Sequence, residues 1–469
     1  MFLIKALRRL YAPEHLIRGQ WLGAPYTTQE VYKTLLRMAW PSILETVLIG
    51  MISFVDTLMI SGCGPAAIAA VGLTSQPRQI FFAVFAALNV GVTAIVSRRR
   101  GQEDREGANR VLAQALSICS VLSVILCAVA FIFARPLLLF AGGQDDTIDT
   151  AVMYFKITMV GTIFTAFGMV INAAHRGCGN TKISMYTNLS ANAVNLVFNW
   201  LLINGVWIFP RLGVKGDAIS TLMGNVVSFL ISAYSLTAKD AYLKIHLKNL
   251  FRIDPENLKL ILRIGSSAAA EQVFVRIGFF AYAKMVATLG TEALATHQIC
   301  MSIINLSYTF GDGLSIAASA LVGQNLGRRR SDMASIYGKA TQRVGALISI
   351  GMFSMFLFGG SMLVGWFTDQ QSIIDQGSRL LFIMAFASPA QISQIVFSGC
   401  LRGSGDTKYV AYSSLISIGI LRPIFTYLLC YTLNLGLIGA WLSLLIDQYL
   451  RLTLTSIRFA RGNWKSVEL

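Results

Sequence analysis

The chain has 469 residues, of which 55% are hydrophobic and 13% charged, and its mean hydropathy is +0.61. A soluble domain carries about 25% charged residues, so 13% is too few to cover the water-facing surface of a soluble protein of this length. The same composition excludes a disordered chain, collagen, a coiled coil and a disulfide scaffold. The formal net charge of +16 would suggest nucleic acid in a soluble protein, but in an all-α polytopic membrane protein we expect it to reflect topology.

A basic arm is the first predicted element, at residues 1–34. Its apolar run is short and is interrupted by Lys5, Arg8 and Arg9, which argues against a signal peptide. We expect a cytoplasmic amphipathic helix that lies on the inner leaflet.

Twelve apolar stretches follow, each close to the roughly 20 residues that a helix needs to cross a bilayer. They are continuous rather than alternating, so strands are not expected. The predicted spans are residues 35–60, 73–97, 111–134, 149–174, 184–207, 216–237, 259–289, 293–322, 336–366, 376–400, 409–432 and 436–457.

The basic residues predict the orientation of these spans. With the N-terminus inside, thirty Lys and Arg fall in cytoplasmic segments and four in outer segments, so both termini are predicted to be cytoplasmic. The long basic connector, residues 238–258, separates an N-lobe (35–237) from a C-lobe (259–457), and residues 458–469 form a cytoplasmic tail. Short loops and the lack of targeting signals suggest a bacterial inner (plasma) membrane.

The two halves are related by a duplication at a constant offset of 226 residues. Glu45 corresponds to Glu271, and the loop at residues 176–182 (RGCGNTK) corresponds to the loop at residues 402–408 (RGSGDTK). Six spans in each half give two six-helix bundles of the same orientation. Rocking of two such bundles about a cleft is the structural requirement for alternating access.

Three motifs carry a family resemblance: SFVDTLM at residues 53–59, LVGQNLG at residues 321–327, and the twin Arg-Gly-x-Gly loops. In this order they resemble the multidrug and toxic compound extrusion (MATE) family of the multidrug/oligosaccharidyl-lipid/polysaccharide exporter superfamily. The resemblance implies a V-shaped pair of lobes that exports organic cations and other amphiphiles, driven by inward flow of H⁺ or Na⁺. The chain departs from the pattern at Gln391 and Asn199, where some relatives carry acids, so the coupling ion stays open.

Polar groups within the spans are the candidate ion-coupling residues, because a charge in the bilayer costs roughly 2.5–3.5 kcal/mol and needs a partner or a function. The resemblance implies that Asp56 takes up a proton or helps to bind Na⁺, and that Glu271 serves coupling or contacts a cationic substrate. Glu45 is the repeat mate of Glu271 and shares a helix face with Asp56. Asn195 and Asn199 share a face and could extend a network to Asp56. The alternative for each residue is simple adhesion between helices.

The candidates for the substrate cavity are Asp312, Gln298, Gln391 and Arg276. The flanking glycines of Asp312 predict either a locally opened helix that holds a cation or a close packing point. Pro41, one turn before Glu45, is predicted to bend its helix; the resemblance implies bending during transport, and a static kink is the alternative.

Some other polar residues have structural interpretations. Asp217 is predicted to cap a helix, Asp447 and Arg451 to pair at i, i+4, and His297 to be a satisfied polar group. The seven cysteines form no Cys-x-x-Cys pair, so neither disulfides nor a zinc site are expected.

The predicted function is secondary active efflux of amphiphilic or cationic compounds by H⁺ or Na⁺ antiport. The alternative is a flippase for anionic lipid-linked intermediates, which would use Arg276, Lys284 and Arg422 in a basic cavity. A major facilitator or a channel is less favoured, since residues 97–105 lack the facilitator motif, and no Gly-x-x-x-x-Gly-Lys loop or catalytic constellation indicates an ATP-driven pump or an enzyme.

The predicted partners are membrane lipid and small-molecule substrates, with no nucleic acid, and the protein is expected to act as a monomer. No organic cofactor is expected. A Na⁺ ion near Asp56 or Glu271 is the one metal that this interpretation admits.

Overall fold

The computed structural model describes residues 11–16, 21–61, 65–141, 143–144, 147–206, 209–238, 241–244 and 254–467. These residues are nearly all helical, and they contain no strand. Most of the predicted N-terminal amphipathic helix, at residues 1–10 and 17–20, lies outside the described residues.

The α-helices of the described residues are α1 (Pro13–Leu16), α2 (Thr28–Ser61), α3 (Pro65–Gly101), α4 (Arg105–Ile132), α5 (Ala134–Phe140), α6 (Ile148–Gly177), α7 (Thr181–Asn204), α8 (Val214–Ser235), α9 (Pro255–Ala287), α10 (Thr291–Gly327), α11 (Ser331–Gly365), α12 (Gln371–Ser404), α13 (Thr407–Ser414), α14 (Arg422–Tyr427) and α15 (Gly436–Arg461). Two π-helical segments, Leu415–Leu421 and Leu428–Thr432, flank α14.

Nine of these helical stretches within the described part of the chain are long and apolar enough to cross a membrane. The chain is therefore a multi-pass membrane protein. The other three predicted spans fall on α7, α9 and α10, which are of similar length but carry more polar groups, such as the asparagines of α7. Twelve crossings thus remain a prediction.

Most helices begin some residues before the predicted apolar spans, and at α2 and α9 the reason is a capping residue outside the apolar stretch. Thr27 and Glu30 form a reciprocal capping box at the start of α2: the Thr27 N–H donates to Glu30 Oε2 at 2.8 Å, and the Glu30 N–H donates to Thr27 Oγ1 at 3.3 Å. At α9, the side chain of Asp254 accepts from the backbone of Glu256 and Asn257. The last residues of the predicted connector are therefore helical.

The chain forms two compact units that do not coincide with its two halves. One comprises Met1–Ile43 and Ser266–Leu469, and the other comprises Leu44–Gly265. Helix α2 therefore passes from one unit to the other just after Pro41, and α9 does so at Gly265. We call the units the C-terminal and the N-terminal unit.

The C-terminal unit has a core to which both of its segments contribute. Leu35 and Ala39 of α2 are fully buried in the same apolar cluster as Leu314 and Trp441. A Cβ atom on Gly313 would approach the backbone of Ile43 to 2.8 Å, so the two segments are in close contact. The N-terminal unit has its own core, which includes Phe155 and Leu138.

The twin loops confirm the duplication in three dimensions. Gly179 and Gly405, at the same place in each loop, have φ angles of 86° and 91°, in the left-handed region that favours glycine. Gly177 and Gly403 also correspond, and a Cβ on either would strike a backbone oxygen: that of Thr93 for Gly177, and that of Ser319 for Gly403. Thr93 and Ser319 are themselves 226 residues apart.

Candidate functional site

Asp56 lies on α2 in the N-terminal unit, where a buried amide holds its carboxylate. Asn199 of α7 donates from Nδ2 to Asp56 Oδ1, and Ser220 of α8 donates to Asn199 Oδ1. Asn199 and Ser220 are both fully buried, whereas Asp56 is partly exposed. Because Ser220 occupies the amide oxygen, the Asn199 N–H group is directed at Asp56. This confirms that Asn199 and Asp56 form a network.

Asp217 is a second carboxylate beside Asp56, and the sequence analysis missed it. It is fully buried on α8, where Asp56 acts on it electrostatically and Tyr154 and Asn199 are its polar neighbours. Neither carboxylate oxygen makes a hydrogen bond of ordinary geometry with a described residue. The predicted helix cap is therefore wrong: the N-cap of α8 is Gly213, and Asp217 lies inside the helix. Its occurrence within an apolar stretch was the signal that could have identified it.

One cation acts on these two carboxylates. Arg78 of α3 exerts a Coulombic effect on both Asp56 and Asp217, but no ion pair joins it to either of them. Asp56 and Asp217 therefore repel each other electrostatically, and neither has an ion-pair partner among the described residues.

Asn195 lies one turn before Asn199 but has another partner. Its Nδ2 atom donates to Thr221 Oγ1 at 3.3 Å, so α7 and α8 are joined there without Asp56. In the described hydrogen bonds the structure brings Asn199, not Asn195, to the carboxylate.

Glu45 is nearly buried in the N-terminal unit and is surrounded by donors. Its Oε1 atom accepts from Arg176 Nη2 at 2.5 Å, from Asn188 Nδ2 at 2.5 Å and from Ser184 Oγ at 3.0 Å. Oε2 has no partner among the described residues. The structure therefore places Glu45 in an ion pair at the start of the first Arg-Gly-x-Gly loop.

Glu271 occupies the equivalent position in the C-terminal unit. Arg402 donates to its two carboxylate oxygens, from Nη2 at 2.5 Å and from Nε at 3.3 Å. Asp312 of α10 also acts electrostatically on Arg402. Arg402 is thus ion-paired with Glu271, whereas Asp312 acts on it electrostatically without an ion pair among the described residues.

Asp312 itself has an exposed side chain on a continuous helix. The opened helix that its glycines could indicate does not occur. Gly311 instead packs against the side chain of Ile395, and Gly313 packs against Ile43, so the alternative of a close packing point is confirmed.

The remaining candidates are spread over the C-terminal unit. Gln298 and Arg276 are exposed, whereas Gln391 is fully buried and neither of its amide atoms has a described partner. Pro41 is buried within α2, two residues before the point at which that helix changes unit. Asp447 and Arg451 pair as predicted, at 3.2 Å, with Arg422 as a further partner of Asp447.

The fold and these internal carboxylates define a class: a multi-pass helical membrane protein with ionisable groups inside both of its compact units. The family model MatE matches residues 41–201 and again residues 268–428, once in each half, as the duplication predicts. The chain belongs to the MatE family, which confirms the resemblance drawn from its motifs.

Individual relatives span almost the whole chain. The uncharacterized transporter YisQ of Bacillus subtilis (strain 168) is 28% identical over 438 residues, or 92% of this chain and 94% of that protein. The probable multidrug resistance protein NorM of Thermotoga maritima is 26% identical over 439 residues, or 93% and 94%.

Solved structures share the fold. A MATE protein in its bent conformation matches with a TM-score of 0.85 and 22% identity over 92% of this chain and 96% of that one. A MOP superfamily transporter from Pyrococcus furiosus matches with a TM-score of 0.87 and 22% identity over 99% of both chains. At this level of identity the likeness concerns the fold alone.

Proposed function

We propose that this protein is a secondary active multidrug exporter that moves amphiphilic or cationic organic compounds out of the cell in exchange for H⁺ or Na⁺. The observation that carries the proposal is the pair of carboxylates Asp56 and Asp217: Asp217 is buried, Asp56 is partly buried, and neither has an ion-pair partner in the described part of the chain. Membership of the MatE family and the similarity to proteins named as multidrug resistance proteins support it.

The coupling step follows from the repulsion between Asp56 and Asp217. In a medium of low dielectric constant two neighbouring carboxylates cannot both remain charged cheaply, so one proton or one Na⁺ ion stabilises the pair. The carboxylate oxygens and the hydroxyl oxygen of Tyr154 are ligands that can hold either a proton or a hard cation such as Na⁺. Neutralisation of Asp56 would weaken its hydrogen bond with Asn199. Asn199 would then pass this change from α2 to α8, because its amide is bonded both to Asp56 and to Ser220.

Glu271 enters the proposal as a second cation-sensitive group. Arg402 pairs with Glu271, and Asp312 also acts on it electrostatically, so a proton or a positively charged substrate can neutralise the remaining negative charge of the two carboxylates and the one guanidinium. Glu45 has a complete ion pair with Arg176 and three donors on one oxygen; we assign it mainly to positioning the helices around the first Arg-Gly-x-Gly loop.

The flippase alternative is not favoured. It would require Arg276, Lys284 and Arg422 to form a basic cavity, but Arg422 is fully buried and paired with Asp447. We further propose twelve spans with both termini in the cytoplasm of a bacterial cell, and a monomer as the working form.

The test is efflux of a fluorescent organic cation from loaded proteoliposomes under an imposed H⁺ or Na⁺ gradient. We expect Asp56→Asn and Asp217→Asn to abolish gradient-driven efflux. Asp149→Asn is the matched control, since Asp149 is 80% exposed in a surface pair with Arg135, and it should retain wild-type efflux. The gradient that drives transport identifies the ion. Full efflux by both site variants would refute the proposal.

A further inference from the structure

A second charged cluster is buried in the C-terminal unit, apart from the carboxylates described above. Arg422 is 0% exposed, and its Nη2 donates to Asp447 Oδ2. Arg451 donates to the same oxygen at 3.2 Å. Arg422 directly follows the π-helical segment Leu415–Leu421 and precedes Pro423, and such segments within helices are frequent at functional sites.

The charges of this cluster do not balance. Two guanidinium groups, those of Arg422 and Arg451, act on the single carboxylate of Asp447. One positive charge therefore remains inside a membrane protein, where an uncompensated charge is strongly unfavourable.

The cluster also holds buried polar atoms without a described hydrogen-bond partner. Among the described residues no partner exists for Nε and Nη1 of Arg422, Oη of Tyr282, Nδ1 of His297 or Nε1 of Trp441. These four side chains are all at most 4% exposed. Buried polar atoms are nearly always paired, so these unpaired atoms, of which the guanidinium and indole nitrogens can only donate, indicate that an acceptor binds along this cluster. The prediction that His297 is a satisfied polar group stays a prediction, because the structure describes no partner for its Nδ1.

The four side chains form a continuous series. The guanidinium carbon of Arg422 lies 5.9 Å from the ring centroid of Tyr282, which is 5.5 Å from that of His297. The ring of His297 is in turn 5.7 Å from that of Trp441. Three unpaired nitrogen atoms of Arg422 and Trp441 can only donate, whereas Oδ1 of Asp447 is the one unpaired atom of the described cluster that can only accept.

We propose that this cluster binds a small inorganic anion of the halide class. The guanidinium, phenol, indole and imidazole N–H or O–H groups are donors that an anion accepts from, and one monovalent anion neutralises the excess charge of Arg422, Arg451 and Asp447. Water could accept the hydrogen bonds but would leave the charge. The anion would link α9, α10 and α15 to α14, and so stabilise the C-terminal unit independently of the coupling site around Asp56.

The experiment compares the thermal unfolding of the purified full-length protein in sodium chloride, sodium bromide and sodium gluconate at equal ionic strength. We expect both halides to raise the melting temperature in a saturable way relative to gluconate. Bromide should also give an anomalous-scattering peak beside Arg422 in crystals. Identical melting in all three salts without such a peak would overturn the proposal, because it would leave water as the occupant.

Conservative variants locate the effect. Tyr282→Phe removes one donor hydroxyl but keeps the ring, and we expect it to weaken the apparent halide affinity about five- to tenfold. Trp441→Phe provides a second readout if Tyr282→Phe does not fold. The matched control is Tyr427→Phe, at an exposed tyrosine of α14, which should keep the wild-type response. Halide stabilisation that is unchanged in both cluster variants would place the anion elsewhere and refute the assignment.

Discussion

Arg402 Nη2 lies 2.5 Å from Glu271 Oε1, so the first residue of the second Arg-Gly-x-Gly loop is bonded to the middle of α9. The same atoms of Arg176 and Glu45 are also 2.5 Å apart. In both pairs the partners are 131 residues apart in the chain. The duplication has therefore retained this ion pair as well as the helices.

The Glu271 pair yields the first prediction. Arg402→Gln leaves a nearly buried carboxylate without its cation, and we expect a loss of about 2–4 kcal/mol in stability, at the lower end of the range for breaking a buried pair because Arg402 is partly exposed. Thermal unfolding in detergent measures it. Lys408→Gln, at an exposed lysine of the same loop, should leave the melting temperature within error; an equal decrease in both variants would contradict the prediction.

The two asparagines of α7 provide a matched pair for transport. We expect Asn199→Ala to reduce gradient-driven efflux at least tenfold, because it leaves Asp56 without its donor and Ser220 without its acceptor. Asn195→Ala loses only a bond to Thr221, so its efflux rate should stay within about twofold of wild type. Both rates come from the proteoliposome assay, normalised to reconstituted protein, and equal losses would argue against the network around Asp56.

Substitution of the twin-loop glycines by alanine is expected to lower the melting temperature by different amounts at the two positions. A Cβ at Gly403 would collide with the backbone oxygen of Ser319, whereas at Gly177 it would lie 3.0 Å from that of Thr93. Gly403→Ala should therefore lower the melting temperature more than Gly177→Ala. Gly351→Ala is the control, because nothing lies within 4 Å of its added Cβ; if it proved the most damaging of the three, the packing argument would fail.

Substitution of Pro41 is expected to change the efflux rate more than the stability of the fold. Pro41→Ala restores a backbone N–H donor in the interior of α2, so we expect stability to be unchanged or slightly raised. If bending of α2 near its change of unit is part of the transport cycle, the efflux rate falls while cation binding is retained. Binding by tryptophan fluorescence and efflux by dye release separate these effects, and wild-type efflux would indicate a static kink.

Much of the fold could be predicted because its signals are local or repeated. Apolar length located the helices, and the constant offset located the twin loops. The early start of α2 was missed because Thr27 and Glu30 are polar and lie outside the apolar window, although their spacing matches a capping box.

The site was harder to predict, since its interactions are long-range. The sequence identifies Glu45 and Glu271 as charges inside spans, but it does not indicate which arginine reaches them from 131 residues away. Asp217 was misassigned because a position near the start of a span also suits a capping residue. Similarly, the spacing of Asp447 and Arg451 predicted their pair, whereas Arg422 joins them only through tertiary packing.

The division of α2 between the two units has a consequence for biosynthesis. The part of α2 up to Ile43 belongs to the unit that otherwise begins at Ser266, so it leaves the ribosome long before the rest of that unit exists. A gene cut at the central connector would give fragments that each lack part of one unit, and neither should mature alone. Co-expression of the two fragments should restore a folded protein, because α2 and α9 each contribute residues to both units.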